Sequence, residues 1–201
     1  EGQIEAVIFG IAAVAGPAFN ARPEKHIRIN TQGFLNVLEA ARILQVPRLV
    51  NLSSGAVYGD HNGPPHEDLP HKATDLYAAT KIANEVFAGR YAASFGMDIR
   101  TARLFAVYGP GKRPSNMYPF YQALFGPLEG MRDISVPSGG DQSMDWTHVR
   151  DTAAGILRLL DAEDMSGRAF NISTGTAVPH RDIVHLVGGI IGRDSNITMG
   201  P

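Results

Sequence analysis

The chain has 201 residues, with 18 basic and 20 acidic side chains, no cysteine and 44% hydrophobic residues. That length suits one domain, or one domain with a small appendage, around a real core. A net charge of −2 leaves no electrostatic footprint for nucleic acid or anionic lipid, and without cysteine there is no disulfide scaffold, thiolate metal site or cysteine nucleophile.

The longest apolar stretch, 6–16, has eleven residues, against the ~20 a membrane helix needs. The acidic Glu1-Gly2-Gln3-Ile4-Glu5 before it is not the positive flank of a signal peptide. A soluble cytoplasmic protein is expected, with neither nucleic acid nor membrane as partner. Residues 6–11 read as a buried parallel strand, hydrophobic on both faces. A sheet seldom starts so abruptly, and further residues are expected upstream.

A helix pattern follows over 23–45, with Ile27, Phe34, Leu35, Leu38, Ala41 and Ile43 on its apolar face and Val46-Pro47 as its stop. Residues 48–53 form a second apolar strand. A loop rich in Gly, Pro, His and acids covers 59–73, and a second helix covers 74–95, ended by Gly96. A third strand is expected over 99–107. Strand, helix, strand, helix, strand with short links predicts a doubly wound parallel α/β sheet. Beyond Gly111, helices are expected over 117–125, 150–160 and 180–191, with strands over 133–136 and 169–172. The tetrapeptide Ala-Val-Tyr-Gly occurs at 56–59 and 106–109 and reads as two strands ending in similar turns.

Tyr77 and Lys81, four residues apart on a helix, share one face. An ammonium beside a phenol favours the phenolate, so the Tyr77 pKa is expected to fall, suiting it to take a proton from an alcohol. The pair alone equally describes a solvated helix face. Context favours chemistry: Ser53 and Ser54 end the second strand, where ligands bind in such sheets. His61, His66 and His71 recur every five residues, a spacing that shares no helix face, and read as solvated loop residues with no metal site.

The runs Leu52-Ser53-Ser54-Gly55-Ala56-Val57-Tyr58-Gly59, Tyr77-x-x-x-Lys81 and Arg103-Leu104-Phe105-Ala106-Val107-Tyr108-Gly109-Pro110 resemble the extended short-chain dehydrogenase/reductases, and within them the NAD-dependent epimerase/dehydratase branch. Ile11-Ala12-Ala13, the segment 30–40, Asp145-Trp146-Thr147-His148-Val149-Arg150-Asp151 and Phe170-Asn171-Ile172-Ser173-Thr174-Gly175 match in the same order. The resemblance implies a Rossmann-type α/β fold: 1–110 as the remainder of an NAD(P)-binding domain, and 111–201 mainly as a small α/β substrate lobe, with 144–161 packing back on the first domain. It implies Ser54 as the catalytic hydroxyl, Tyr77 as acid/base and Lys81 as the residue that holds the ribose and tunes Tyr77. Ala12, Ala13, Ser53 and Phe105 would line the cofactor, NAD or NADP with NAD favoured, and Asn30 would order the site from its helix. A homodimer through the two long helices is also implied.

Departures from the family pattern narrow this further. No G-x-x-G-x-x-G occurs in the chain, so the expected phosphate cradle, normally a helix N-terminus, and the first strands are absent from it. Gly55 and Ala56 stand where related dehydratases carry an acid, which leaves epimerisation or plain alcohol oxidation. Ala106 and Met144 replace the asparagine and arginine that bind a nucleotide-sugar pyrophosphate, a charge Arg113 or Arg132 would have to supply. The reading is a sugar or nucleotide-sugar epimerase, 4-epimerase type favoured, working by hydride transfer through a keto intermediate. A dehydrogenase of a small non-nucleotide alcohol is the alternative, and a non-catalytic nucleotide sensor the alternative of another class.

Overall fold

Leu49 and Val50 are adjacent and both 1% exposed or less, which a strand allows only if both faces of its sheet are covered. In the computed structural model, which describes residues 3–14, 21–61, 63–112, 121–193 and 195–200, both faces are. Strand β2 (Arg48–Ser54) lies between β1 (Val7–Phe9) and β3 (Asp98–Leu104), and β7 (Ala169–Ile172) pairs with β3, all in parallel. Leu49 packs with Phe9, Phe34, Leu38, Ala88 and Ile99, beneath helices α2 (Gly33–Ile43) and α3 (Leu76–Phe95). Val50 points the other way, to Ala102 and Leu159 beneath α5 (Val149–Asp161). Burying one such leucine or valine is worth about 1.5–3 kcal/mol, so β2 is held from both sides. The two arginines at the start of this sheet, Arg48 and Arg100, share Asp98 and take carbonyls at the end of α5.

The expected doubly wound sheet is thus present. Strand β1 departs from its expected burial because it is an edge strand outside the cover of α5: Phe9 is buried against Phe34, whereas Ile8 is 44% exposed. The helix expected over 23–45 is broken in register. It starts as α1 (Pro23–Ile27), widens into a π-helical turn at Arg28–Gln32 and continues as α2. The wider turn brings Asn30 fully inside. Helix α3 starts where the Asp75 carboxylate accepts from the Ala78 amide at 2.7 Å, and stops at Gly96, φ 65°.

The strand expected over 99–107 splits at Phe105. Strand β3 stays in the first sheet, while β4 (Ala106–Tyr108) pairs with β6 (Ser143–His148), which pairs antiparallel with β8 (Ala177–Pro179). A further pair joins β5 (Asp133–Pro137) to β9 (Asn196–Gly200). Helices α4 (Gln122–Leu128) and α6 (His180–Ile191) complete this unit around Ala106, Tyr121, Ile134, Trp146 and Ile183. Part of the helix expected over 117–125 lies outside the described residues. The repeated tetrapeptide adopts two conformations: at 56–58 it belongs to a 3-10 turn (Gly55–Tyr58), at 106–108 it is strand. Among the described residues no helix is long and apolar enough to cross a membrane.

Candidate active site

Three parallel strands deliver their carboxyl ends to one edge of the first sheet. β1 leads to Ala12 and Ala13, β2 ends at Ser54, and β3 leads to Phe105. Ser54 also starts the 3-10 turn, its hydroxyl accepting from the Ala56 amide at 3.2 Å. The first turn of α3 brings Tyr77 to the same hydroxyl, and the two side chains are hydrogen-bonded. One turn further, the Lys81 ammonium donates to the Leu52 carbonyl at 2.7 Å and lies 5.7 Å from the centre of the Tyr77 ring. Ser54, Tyr77 and Lys81, proposed from spacing and resemblance, therefore meet at one point.

Electrostatics at that point differ from the expectation. Burial pushes the Tyr77 phenol above its usual range; the Ser54 hydrogen bond opposes this and the Asp75 carboxylate adds to it. Lys81 lies over the ring rather than at the hydroxyl, and burial outweighs it. The ammonium is itself only 3% exposed, and its pKa falls from 10.5 to about 8, burial lowering it and Glu85 holding it up. Between those two values the unfolded chain binds more protons than the folded one, so stability rises with pH across that window. This contribution is complete above about 10.4 and gone once pH falls below about 8; it amounts to about 3 kcal/mol. Urea unfolding at pH 8 and pH 10 is expected to show the gain in the wild type and to lose it in Lys81→Met.

Asn30 reaches the site through others. Its side chain accepts from the Ala13 amide at 2.6 Å and donates to the Ala13 carbonyl at 2.9 Å and to Thr80 at 3.0 Å. Fully buried and so engaged, it ties the loop after β1 to α3 instead of lining a ligand itself. Asn30→Leu, which strands the Ala13 peptide groups, is expected to cost about 2 kcal/mol in a denaturant titration. Ser53 is turned from the site as well: its hydroxyl is buried and donates to Glu85. Phe105 stands over Gly55, where an added Cβ would come within 2.7 Å of the ring, so any side chain at position 55 requires Phe105 to move.

Behind the pair lies a buried polar network that the sequence reading missed. Glu85 continues the Tyr77–Lys81 stripe by one more turn, and Arg103 of β3 donates to both its oxygens at 2.7–3.2 Å. Arg103 also donates to the Tyr58 hydroxyl at 2.8 Å and the Glu67 carbonyl at 3.0 Å, and Tyr58 in turn donates to Asn171. His71, read as a solvated loop residue, joins this network: its Nε2 lies 2.9 Å from Arg103 and 3.0 Å from Glu85. That nitrogen can accept from the first or donate to the second, not both at once. Asp145 takes the amides of Thr174, Gly175 and Thr176, joining the two motif segments around β6 and β7.

Lys112 and Tyr121 also escaped the sequence reading. The Lys112 ammonium sits 3.9 Å from the centre of the Tyr121 ring. Burial, with the nearby Tyr77, pushes the Tyr121 phenol up to about 12. Arg113 lies outside the described residues. Arg132 is exposed ahead of β5, its carbonyl accepting from Asn196. Among the described residues no group of three or more His, Asp or Glu is placed to hold a metal ion.

Comparison with known proteins gives this geometry its relatives. The NAD dependent epimerase/dehydratase family model matches residues 1–173. UDP-glucuronate 4-epimerase 4 of Arabidopsis thaliana is 32% identical, over 90% of this chain and 45% of its own length. The structure of RMD from Pseudomonas aeruginosa complexed with NADPH is 26% identical with a TM-score of 0.86, covering 98% of this chain and 69% of that one. A Thermus thermophilus UDP-glucose 4-epimerase complex with NAD is 25% identical with a TM-score of 0.85, covering 96% and 64%. The chain spans about half the length of the curated relatives it matches.

Proposed function

The chain belongs to the NAD-dependent epimerase/dehydratase family, and from that premise we propose that it serves the NAD(P)-dependent 4-epimerisation of a nucleotide sugar, with NAD the favoured cofactor. The observation that carries the reading is the hydrogen bond between Ser54 and Tyr77 with the buried Lys81 one turn away. Relatives named as UDP-glucuronate and UDP-glucose 4-epimerases, and similar structures that hold NAD or NADPH, support it.

The residues fit the nicotinamide-ribose half of such a cofactor. Lys81 has three N–H donors, and Leu52 takes one of them; a buried ammonium calls for further acceptors, and ribose hydroxyls are suitable ones. Ala12, Ala13 and Phe105 would flank the ring. When bound, the dinucleotide supplies a two-electron acceptor for the sugar carbon. Tyr77 then takes the hydroxyl proton on its phenol oxygen as the alcohol becomes a ketone, and returns it afterwards. Ser54 holds the substrate oxygen at the same point, and Lys81 supplies positive charge beside both. Positions 55 and 56 carry no acid, and Phe105 fills the space over Gly55. That supports epimerisation over elimination, which needs a second proton carrier.

Arg113 and Arg132 are the proposed cations for an anionic substrate group. A cytoplasmic homodimer through α2 and α3 belongs to the same reading, supported by the exposed Ile43, Leu44, Val86 and Phe95 on or beside those helices. One observation favours a second reading, oxidation of a non-nucleotide alcohol: Ala106 is buried in the core of the second unit and Met144 packs against it, so neither offers charge to a pyrophosphate.

The test uses the protein at its full natural length. Denaturation should release a nicotinamide dinucleotide, identified by mass spectrometry, and proton NMR should show UDP-glucose or UDP-glucuronate converting to its 4-epimer. Net cofactor reduction by a simple alcohol, with no epimer formed, would establish the second reading instead.

A further inference from the structure

Three consecutive residues at the end of β2 are each tied to a different turn of α3. The Leu52 carbonyl accepts from Lys81, Ser53 donates to Glu85, and Ser54 bonds Tyr77. The three partners on α3 are spaced by four residues, one above another on a single face. Two of the ties involve the proposed catalytic groups. The third ends on Glu85, whose side chain is 6% exposed and has no place in proton transfer.

Glu85 is not free to move. Arg103 stands opposite Ser53 in the β2–β3 register, its side chain 5% exposed, and grips both Glu85 oxygens. Tyr58 and the Glu67 carbonyl hold the other arm of the guanidinium. A charge-assisted bidentate pair fixes direction as well as distance. Shifting Glu85 would therefore require moving β3, the turn after β2 and the 63–73 loop together.

We infer that Glu85, clamped by Arg103, is a positioning residue: by anchoring Ser53 it fixes the end of β2 against α3 and so sets Ser54 on Tyr77. The inference rests on the catalytic reading of Ser54, Tyr77 and Lys81 given above. Glu85 acts through charge as well, since it is the carboxylate that favours the Lys81 ammonium against burial. The titratable and charged groups around this point are Tyr77 and Glu85 on α3, Arg103 on β3, Tyr58 in the 3-10 turn, and His71 and Glu67 in the loop.

Two variants of the full-length protein test it. Ser53→Ala cuts the tie to β2 and leaves the Glu85–Arg103 pair intact; kcat on the UDP-sugar should fall about tenfold, as misplacement of a reacting group does, with the KM values of sugar and dinucleotide and the melting temperature near wild type. Glu85→Gln keeps the shape and removes the charge. Followed by NMR of the lysine side chains, with Lys81→Met identifying the signal, the Lys81 midpoint should drop by roughly half a pH unit or more, and the alkaline limb of the rate profile should move the same way. Wild-type kcat in Ser53→Ala, or a loss confined to the KM of the dinucleotide, overturns the inference. Should Glu85→Gln not fold, Ser53→Ala decides alone. A wild-type protein that turns over no nucleotide sugar tells against the proposed function only. The lysine titration needs no substrate, and an unmoved Lys81 midpoint in Glu85→Gln overturns the role given to Glu85.

Discussion

Tyr77→Phe is expected to lower kcat on a nucleotide sugar by roughly 10²–10⁴-fold, the usual worth of a positioned acid/base group. The substitution removes one oxygen and leaves the ring, so the half-buried packing of the first turn of α3 persists. The hydrogen bond lost is that to Ser54, about 1 kcal/mol of stability, and the variant should remain folded with its dinucleotide bound. KM should change little, because the phenol oxygen acts on the proton in flight rather than on the bound alcohol. Steady-state kinetics on the full-length variant, with cofactor content measured in parallel, checks this. Turnover within threefold of wild type would remove Tyr77 from the chemistry. Full binding without turnover in both proteins would instead describe a nucleotide sensor.

The second large effect is on stability. Arg103→Met leaves Glu85 nearly buried and without its guanidinium, and breaking such a pair from one side costs about 3–5 kcal/mol. The loss is large because both side chains are almost sealed from solvent, at 5% and 6% exposure; an exposed pair would be worth far less. Ser53 and His71 remain as partners of Glu85 but supply no permanent charge. For a chain of this size each kcal/mol moves the melting temperature by roughly 2–4 °C, so a fall on the order of 6–20 °C is expected by calorimetry. Replacing both members, Arg103→Met with Glu85→Leu, should recover much of it, because no charge is then left buried. A fall of the single variant below about 2 °C would mean that water reaches Glu85 freely.

The family belongs to the part of the molecule that was legible beforehand. Helical spacing puts Tyr77 and Lys81 on one face whatever surrounds them, and a serine at the end of an apolar strand falls at the carboxyl edge of a parallel sheet. The two-sided apolar pattern of β2 likewise admits little but a strand covered on both faces. These are local regularities of period and punctuation, and the structure keeps them.

Other features depended on partners distant in sequence. Glu85 lies on the stripe of Tyr77 and Lys81, yet a glutamate on a helix reads as solvated. Its burial is decided by Arg103, eighteen residues on, and by Ser53, thirty-two residues back. His71 reads as a loop histidine for the same reason. The inward turn of Asn30 needs a π-helical turn that no periodicity announces. Identical tetrapeptides became turn and strand because Ser54 caps one and β6 pairs with the other.

The Tyr77 pKa makes the division clearest. Spacing alone determined which charge would be near the phenol, and with the strand ends it determined the fold class and the three residues of the site. Only the tertiary structure decided the direction of the shift, because burial acts through every neighbouring atom, whereas the spacing of two residues specifies one interaction among many.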